Sequence, residues 1–418
     1  MKSKILLSSS LIALALSAQA QQSNKAYAIT GDGNHDYIWM NIRQVDLSTG
    51  QVGKTIFQRN KTNFTLTDVA AKKSVDQTAT ANDNIFGPGN YPTSTFVAAA
   101  AYDNRSNKLF FVPMRMGELR WVDLDIKNET PKFYSIRSDV FQMSAINDES
   151  KHITRMVIAA DGNGYAVTND GNSLIRFTTG KKPVVTDLGT LVDAEANKGI
   201  SIHNKCSSWG GDMLADAFGK LYIISASHNV FVVDINSRMA TFQGTITGLP
   251  AGYTTNGAAV DAEGQVVVSS ANLFEGYYKF SLDKLAAVRI EGSDTKYNAS
   301  DLANGNLLLQ KEADAANKFS LVPNLVANEG IKSDTRIYPN PVSGNTFKVL
   351  LDGTKDGAYT IVIADIAGRS LQTTKINLLK GQQSQQVSLK ARPAPGTYLV
   401  KVLNEKNQVV LTDKLLVQ

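Results

Sequence analysis

Met213-Leu214-Ala215-Asp216-Ala217-Phe218-Gly219-Lys220-Leu221-Tyr222-Ile223-Ile224 and Ala258-Ala259-Val260-Asp261-Ala262-Glu263-Gly264-Gln265-Val266-Val267-Val268 share one pattern. Small or apolar residues lead into an Asp–Gly turn, and three or four apolar residues lead out of it. Asp offers its side chain to turn amides and Gly takes up positive φ, so these two residues are expected to build hairpins rather than to catalyse. Looser copies are Ile158-Ala159-Ala160-Asp161-Gly162-Asn163-Gly164-Tyr165-Ala166-Val167 and Ala299-Ser300-Asp301-Leu302-Ala303-Asn304-Gly305-Asn306-Leu307-Leu308-Leu309. Another runs from Val97-Ala98-Ala99-Ala100-Ala101-Tyr102-Asp103 to Leu109-Phe110-Phe111-Val112. The glycines at 164, 219, 264 and 305 lie 55, 45 and 41 residues apart.

A second element follows most copies: Ile42-Arg43-Gln44-Val45-Asp46-Leu47, Leu119-Arg120-Trp121-Val122-Asp123-Leu124, Ser173-Leu174-Ile175-Arg176-Phe177, Val230-Phe231-Val232-Val233-Asp234-Ile235 and Tyr277-Tyr278-Lys279-Phe280-Ser281-Leu282. These short β-branched and aromatic runs, bounded by Asn, Asp and Gly, read as strands. A unit of about 40 residues that cannot bury both faces of its sheet must stack on copies of itself. Units starting near residues 25, 97, 155, 210, 255 and 298 predict an all-β β-propeller of about six blades over residues 25–326. The last unit is short, so Tyr27-Ala28-Ile29 is expected to complete its sheet and close the ring. The resemblance to propellers is one of period alone: no Trp-Asp signature or kelch double glycine accompanies it.

The chain has 418 residues, too many for one core, so two domains are expected. Lys2 and Lys4, an apolar run over residues 5–16 and Ala18-Gln19-Ala20 read as a signal peptide spanning residues 1–20. No later stretch is long and apolar enough for a transmembrane segment. Net charge is +5, but residues 334–418 hold 11 Lys+Arg against 6 Asp+Glu, leaving the body near neutral and without basic runs. That distribution gives no footprint for a nucleic acid.

The C-terminal part follows different rules. Arg336-Ile337-Tyr338-Pro339-Asn340-Pro341 opens it. Tyr359-Thr360-Ile361-Val362-Ile363-Ala364-Asp365 with Gly368-Arg369, then Gly396-Thr397-Tyr398-Leu399-Val400-Lys401-Val402, then Lys414-Leu415-Leu416-Val417-Gln418 complete it. Tyr359, Ile361 and Ile363 alternate with polar positions, as do Tyr398, Val400 and Val402, which predicts a small immunoglobulin-like β-sandwich over 334–418 after a linker at 327–333. In order and spacing these blocks resemble the type A C-terminal sorting domain of the type IX secretion system of Bacteroidetes. The resemblance rests on Tyr338, Pro339, Asn340, Pro341, Asp365, Gly368, Arg369, Gly396, Tyr398 and Lys414, with Ala364 and Ala367 standing where the family commonly has bulkier residues. It implies folding in the periplasm, export by the type IX machinery of the outer membrane, and delivery to the medium or the cell surface. It implies also that a surface sortase removes the tail, with the cut expected in the linker.

Three places in the body are weighed as sites. Asp32-Gly33-Asn34-His35-Asp36 alternates oxygen ligands as calcium loops do, but Tyr37 stands where the loop glycine belongs and the distal Glu is missing, so a turn is expected. His203-Asn204-Lys205-Cys206 brings a histidine to the single cysteine, without the further ligands zinc needs or a base in evident contact; Cys206 is expected to be a small buried residue. Residues 60–96 form a long polar insertion, read equally as a disordered segment or as a recognition surface beside the mouth of the ring. No cofactor, metal site or catalytic residue is assigned. The body is expected to be a binding or interaction module for a polysaccharide or protein ligand. The alternative is an extracellular hydrolase, lactonase or lyase using the central channel.

Overall fold

The computed structural model describes residues 22–417 apart from 76–90, 126–129, 142–147, 294, 320–336, 343, 352–356, 366–369, 379–383, 391–392 and 407. The chain divides into two compact units between Gln310 and Lys311. The expected signal peptide and the 327–333 linker lie outside the described residues.

The first unit is the expected propeller. Its sheets are antiparallel, inner strand first: Val97–Asp103, Lys108–Pro113, Glu118–Asp123 and Lys132–Arg137; Ile153–Ile158, Gly164–Thr168, Leu174–Phe177 and Val185–Gly189; Asp212–Ala215, Lys220–Ile224, Asn229–Asp234 and Met239–Thr245; Gly257–Val260, Val266–Ser269, Tyr278–Phe280 and Val288–Arg289. The remaining sheet takes Ala299–Ala303 as its inner strand, then Lys25–Thr30, Asn41–Asp46 and Val52–Phe57. The inner strands pack in a closed cycle, each against the next. Numbered from the N-terminus, these are blades one to five.

The described residues therefore form five blades rather than about six. The units starting at 25 and 298 are two parts of one sheet, with Tyr27 opposite Ala303, Ala28 opposite Leu302 and Ile29 opposite Asp301. The first strand completes the last unit as expected, and it brings two more strands with it.

Packing explains the composition of the inner strands. Gly257–Val260, Asp212–Ala215 and Ala299–Ala303 are buried at every position, because both their faces and their axial side are covered. Small side chains suit that crowding; a Cβ at Gly257 would lie 2.4 Å from Ser269 Oγ. Larger apolar residues fill the space between blades, where Val167, Leu174, Met213, Leu221, Ile223 and Phe231 join one core.

The turn chemistry is as the repeat predicts at four positions. Asp216 Oδ1 accepts from the amides of Phe218 (2.9 Å) and Lys220 (2.8 Å), and Gly219 has φ +88°. Asp261 repeats the arrangement with Glu263 and Gln265. Asp161 accepts from Asn163 N and Tyr165 Oη, and Asp103 from Arg105 N. Asp301 breaks the rule. It lies within the inner strand, fully buried, and not in a turn.

The 60–96 insertion is also placed differently from expectation. Thr65–Asp68 runs parallel to Lys132–Arg137, and Lys73–Ser74 pairs with it, so the described part extends blade two to six strands at its outer edge. Residues 76–90 lie outside the described residues, and Thr93, Ser94 and Thr95 are buried.

The second unit contains the helix Gln310–Phe319 at its boundary and the expected sandwich. One sheet orders Ser370–Leu378, Gly357–Asp365, Gly396–Leu403 and Val409–Val417; the other orders Ile337–Tyr338, Thr346–Leu350 and Ser384–Ser388. Phe347, Val349, Ile361, Ile363, Val400, Val402, Leu415 and Val417 meet in one core, which is the alternation visible in the sequence.

Candidate functional site

Two places bring chemistry-bearing residues together, one in each unit. In the sandwich, Asn340 sits in the turn after Ile337–Tyr338. Its Nδ2 donates to the carbonyl of Lys414 at 2.6 Å, and its Oδ1 accepts from the amide of Leu416 at 2.8 Å. Val342 N then donates to Leu416 O at 2.7 Å, so residues 339–342 cover the free edge of the final strand. Leu415 on that strand faces Tyr398, and Tyr398 faces Asp365 on the next. The Tyr398 hydroxyl donates to Ala394 O at 2.7 Å, fixing the approach to the Gly396–Leu403 strand.

Pro339, Asn340, Pro341, Asp365, Gly396, Tyr398 and Lys414, scattered over more than seventy residues, thus converge on three adjoining strands and the turn that caps them. Tyr338 pairs with Lys348 in the facing sheet. Gly368 and Arg369 lie outside the described residues.

In the propeller, attention falls on the axis. Asp212 and Asp301 are both fully buried there. Asp212 Oδ2 accepts from Ala258 N at 2.6 Å and its Oδ1 from Met213 N at 2.7 Å. Asp301 Oδ2 accepts from Ala100 N at 2.9 Å. Burial raises the Asp212 carboxyl to about 8 against the pull of its backbone donors. Burial likewise raises Asp301 well above the carboxylate range, and Asp212 beside it adds to the rise. Arg155, also fully buried, donates to the carbonyls of Gly210 and Thr168 at 3.1 and 3.3 Å and to that of Ser208; burial lowers it to about 10.

The axis is also covered at the end bearing the Asp–Gly turns. Residues 304–309 cross it: Asn304 and Asn306 each donate to Val260 O at 2.7 Å, Asn306 to Ser23 O, and Leu308 exchanges backbone hydrogen bonds with Ala215 and Ala217. The loops between second and third strands, and between blades, lie at the opposite end. His35, His152, His203 and His228 all belong to them.

At that end the predicted sites resolve as follows. Asp32 is held by Arg59 (3.0 Å), Asn41 and Gln58, and Asp36 caps the amides of Asp32 and Ile38. Their carboxylates tie a turn together, as expected. Burial raises Asp32, but the hydrogen bonds from Gln58 and Asn41 and the Arg59 charge outweigh it and hold the carboxyl below its ordinary value. The His203 ring lies between two carbonyls, Asp170 O at 2.7 Å and Leu191 O at 3.1 Å. Cys206 is exposed rather than buried: it occupies the first turn of the helix Lys205–Ser208, capped by Asn204, on the surface loop between blades three and four. Among the described residues no group of three His, Cys, Asp or Glu is placed to hold a metal ion.

Sequence reasoning missed the axial pair. A signal was present: Asp161, Asp216 and Asp261 each precede a glycine by three residues, whereas Asp301 precedes Gly305 by four. It missed also an aromatic patch at the loop end, where Tyr37, 46% exposed, packs edge-on against Phe274 at 6.0 Å and His35 lies 5.8 Å from the same ring.

The convergence in the second unit is decided by its family. Residues 336–418 match the secretion system C-terminal sorting domain. The protein is therefore exported, to the cell surface or the medium, and carries a propeller-like body with it. Among the described residues no helix is long and apolar enough to cross a membrane. No curated protein matches the chain.

Among solved structures, PorZ, a surface component of the type IX secretion system of Porphyromonas gingivalis, is 15% identical, with 94% of this chain and 52% of that one covered at a TM-score of 0.31. The Pseudomonas aeruginosa periplasmic gluconolactonase is 11% identical over 94% of this chain and 96% of that one, TM-score 0.32. A virginiamycin B lyase from Staphylococcus aureus is 9% identical over 76% and 83%, TM-score 0.28. The chain spans about half the length of the first two solved structures it matches. Likeness this loose carries nothing about activity, and the ring is established by its own strand pairing.

Proposed function

We propose that the tail is an address read by the type IX machinery through the strands and capping turn on which Asn340, Asp365, Tyr398 and Lys414 converge, and that the propeller is the cargo, a binding module for a polysaccharide or protein. The observation that carries the first half is the double hydrogen bond of Asn340 to the final strand, which ties the opening block of the motif to its last block. Gly368 and Arg369 join the proposed address as the remaining members of the motif.

The second half rests on the axis. A channel enzyme that worked through the axial carboxyls would need substrate or metal to reach them. Here both axial carboxyls are sealed in and hydrogen-bonded to inner-strand amides. The loop end offers an aromatic feature instead: exposed Tyr37 and His35, rings with polar tips, pack on half-buried Phe274, which suits stacking against sugar rings and favours the polysaccharide.

Deleting residues 334–418 tests the address. The truncated chain is expected to remain in the periplasm while the full chain leaves the cell, as read by fractionation and immunoblotting. Equal export of the two proteins refutes the assignment. For the body, the full chain is titrated against envelope polysaccharide, with Tyr37→Ala as control; turnover of a lactone or glycoside without retention would move the body to the enzyme class.

A further inference from the structure

The ring closes by seating Ala299–Ala303, which comes late in the chain, beside strands from its beginning, and only non-covalent contacts hold it there. The axial carboxyls supply a good part of those contacts. Asp301, on the closing strand, reaches Ala100 N on blade two. Asp212, on blade four, reaches Ala258 N on blade five, and its Oδ2 lies 3.5 Å from Leu302 N on the closing strand itself. The two carboxyls also lie beside each other in this interior. Asp301 Oδ1 is buried without a hydrogen-bond partner, which leaves it for a proton shared with Asp212.

Two ionised carboxylates in contact, out of water, repel strongly; one proton between them turns the repulsion into a hydrogen bond. We propose that Asp212 and Asp301 share a proton and form a latch that locks the closing strand into the ring, and that alkaline pH releases it. The latch joins blades one, two, four and five through two carboxyl side chains.

The other groups facing the pair fit that reading. Arg155, on the inner strand of blade three, is the charged group within electrostatic reach of Asp212. The inner strand of blade five carries no charged residue, and Asp103, at the far end of the blade-two inner strand, is engaged by Arg105 and Ser106. Residues 304–309, which cover the axis below, are uncharged. A singly protonated pair beside one guanidinium leaves this interior with one negative and one positive charge.

The sign follows from the raised carboxyls. The pair holds a proton in the folded chain that the unfolded chain has already lost, so its stabilisation is complete below the ordinary carboxylate range and is lost as pH rises through the raised range of the pair.

The experiment is thermal unfolding of the full chain, followed by circular dichroism from about pH 5 to about pH 9. The native midpoint is expected to fall steadily from the ordinary carboxylate range towards alkaline pH. In Asp301→Asn the amide donates to Asp212 and no proton is shared, so the fall should shrink to what the burial of Asp212 alone gives. A native midpoint that holds or rises, or an identical fall in D301N, overturns the proposal. Should D301N fail to fold, infrared spectra of the native chain decide. D261N is the control, because it keeps the pair and removes the other carboxyl that burial raises. A carboxylic-acid band in both at neutral pH, lost towards alkaline pH, supports the latch. Absence of the band overturns it. So does calcium raising the native midpoint at alkaline pH, since that assigns the pair to a cation.

Discussion

The propeller and the sandwich are built from the same element and solve opposite problems. In the sandwich each strand has one dry face, so Gly357–Asp365 alternates: Tyr359, Ile361 and Ile363 inward, Thr360 and Val362 only half covered. In the propeller the inner strands are dry on every side, so alternation disappears and small residues take over, as at Gly257–Val260. The edges differ as well. The sandwich caps the edge of its last strand with a turn, through Asn340 and Val342, while the ring protects its inner edges by meeting itself. One unit is stabilised mainly by a single two-sided core, the other by agreement among five sheets around an axis.

The largest expected effects break this comparison directly. Phe231, fully buried between blades, and Phe347, buried in the sandwich, belong to separate cores. Phe231→Ala and Phe347→Ala should each cost about 3–5 kcal/mol. If the units are independent, F231A lowers one calorimetric transition of the full chain and F347A lowers the other. A common shift of both transitions by either variant would merge the two cores into one cooperative body.

How much of each unit was legible follows from how local its rules are. Asp216, Asp261 and their glycines announce hairpins because a turn is decided within five residues. The blade count was not legible. Tyr27-Ala28-Ile29 is expected to close the ring, but it carries Asn41–Asp46 and Val52–Phe57 into the same sheet as Ala299–Ala303, a long-range order that no window of sequence contains. Asp301 was misread for the same reason: its role comes from Asp212 and Ala100, both brought to it by closure. Buried Arg43 and Arg120, three residues before Asp46 and Asp123, look like exposed positions of a strand. The structure turns them inward, onto Thr30 and Gly31 O in one case and onto the carbonyls of Tyr91 and Pro92 in the other. In the sandwich the motif blocks were legible in order, whereas their convergence depends on strand order in the folded sheet.

A second test sharpens the claim that crowding belongs to the ring and not to its turns. Gly211 enters the inner strand of blade four with φ +93°, and a Cβ there would lie 1.8 Å from Ile224 O. Gly219 has nearly the same φ, +88°, in a hairpin open to solvent, with nothing within 4 Å. Ala at position 219 pays only for its left-handed backbone, about 1–2 kcal/mol. Gly211→Ala adds a backbone clash and should lose about 3 kcal/mol or more. Denaturant titration of both variants checks it. Equal losses would mean that the entry to the inner strand can move aside, and that the ring is looser than its burial implies.

The smallest effect separates stability from addressing in the tail. Asn340→Ala removes one donor and one acceptor from the edge of the final strand. Both bonds are at an exposed edge, where water replaces them readily, so the loss should be about 1–2 kcal/mol, confined to the sandwich transition. Export should suffer much more than that figure explains if Asn340 presents the final strand to the machinery. F347A supplies the contrast, because it destabilises the same sandwich further without touching the capped edge. Export that tracks stability across the two variants would reduce Asn340 to a structural cap. Export lost in N340A and largely kept in F347A would place the address at the junction of the turn and the last strand.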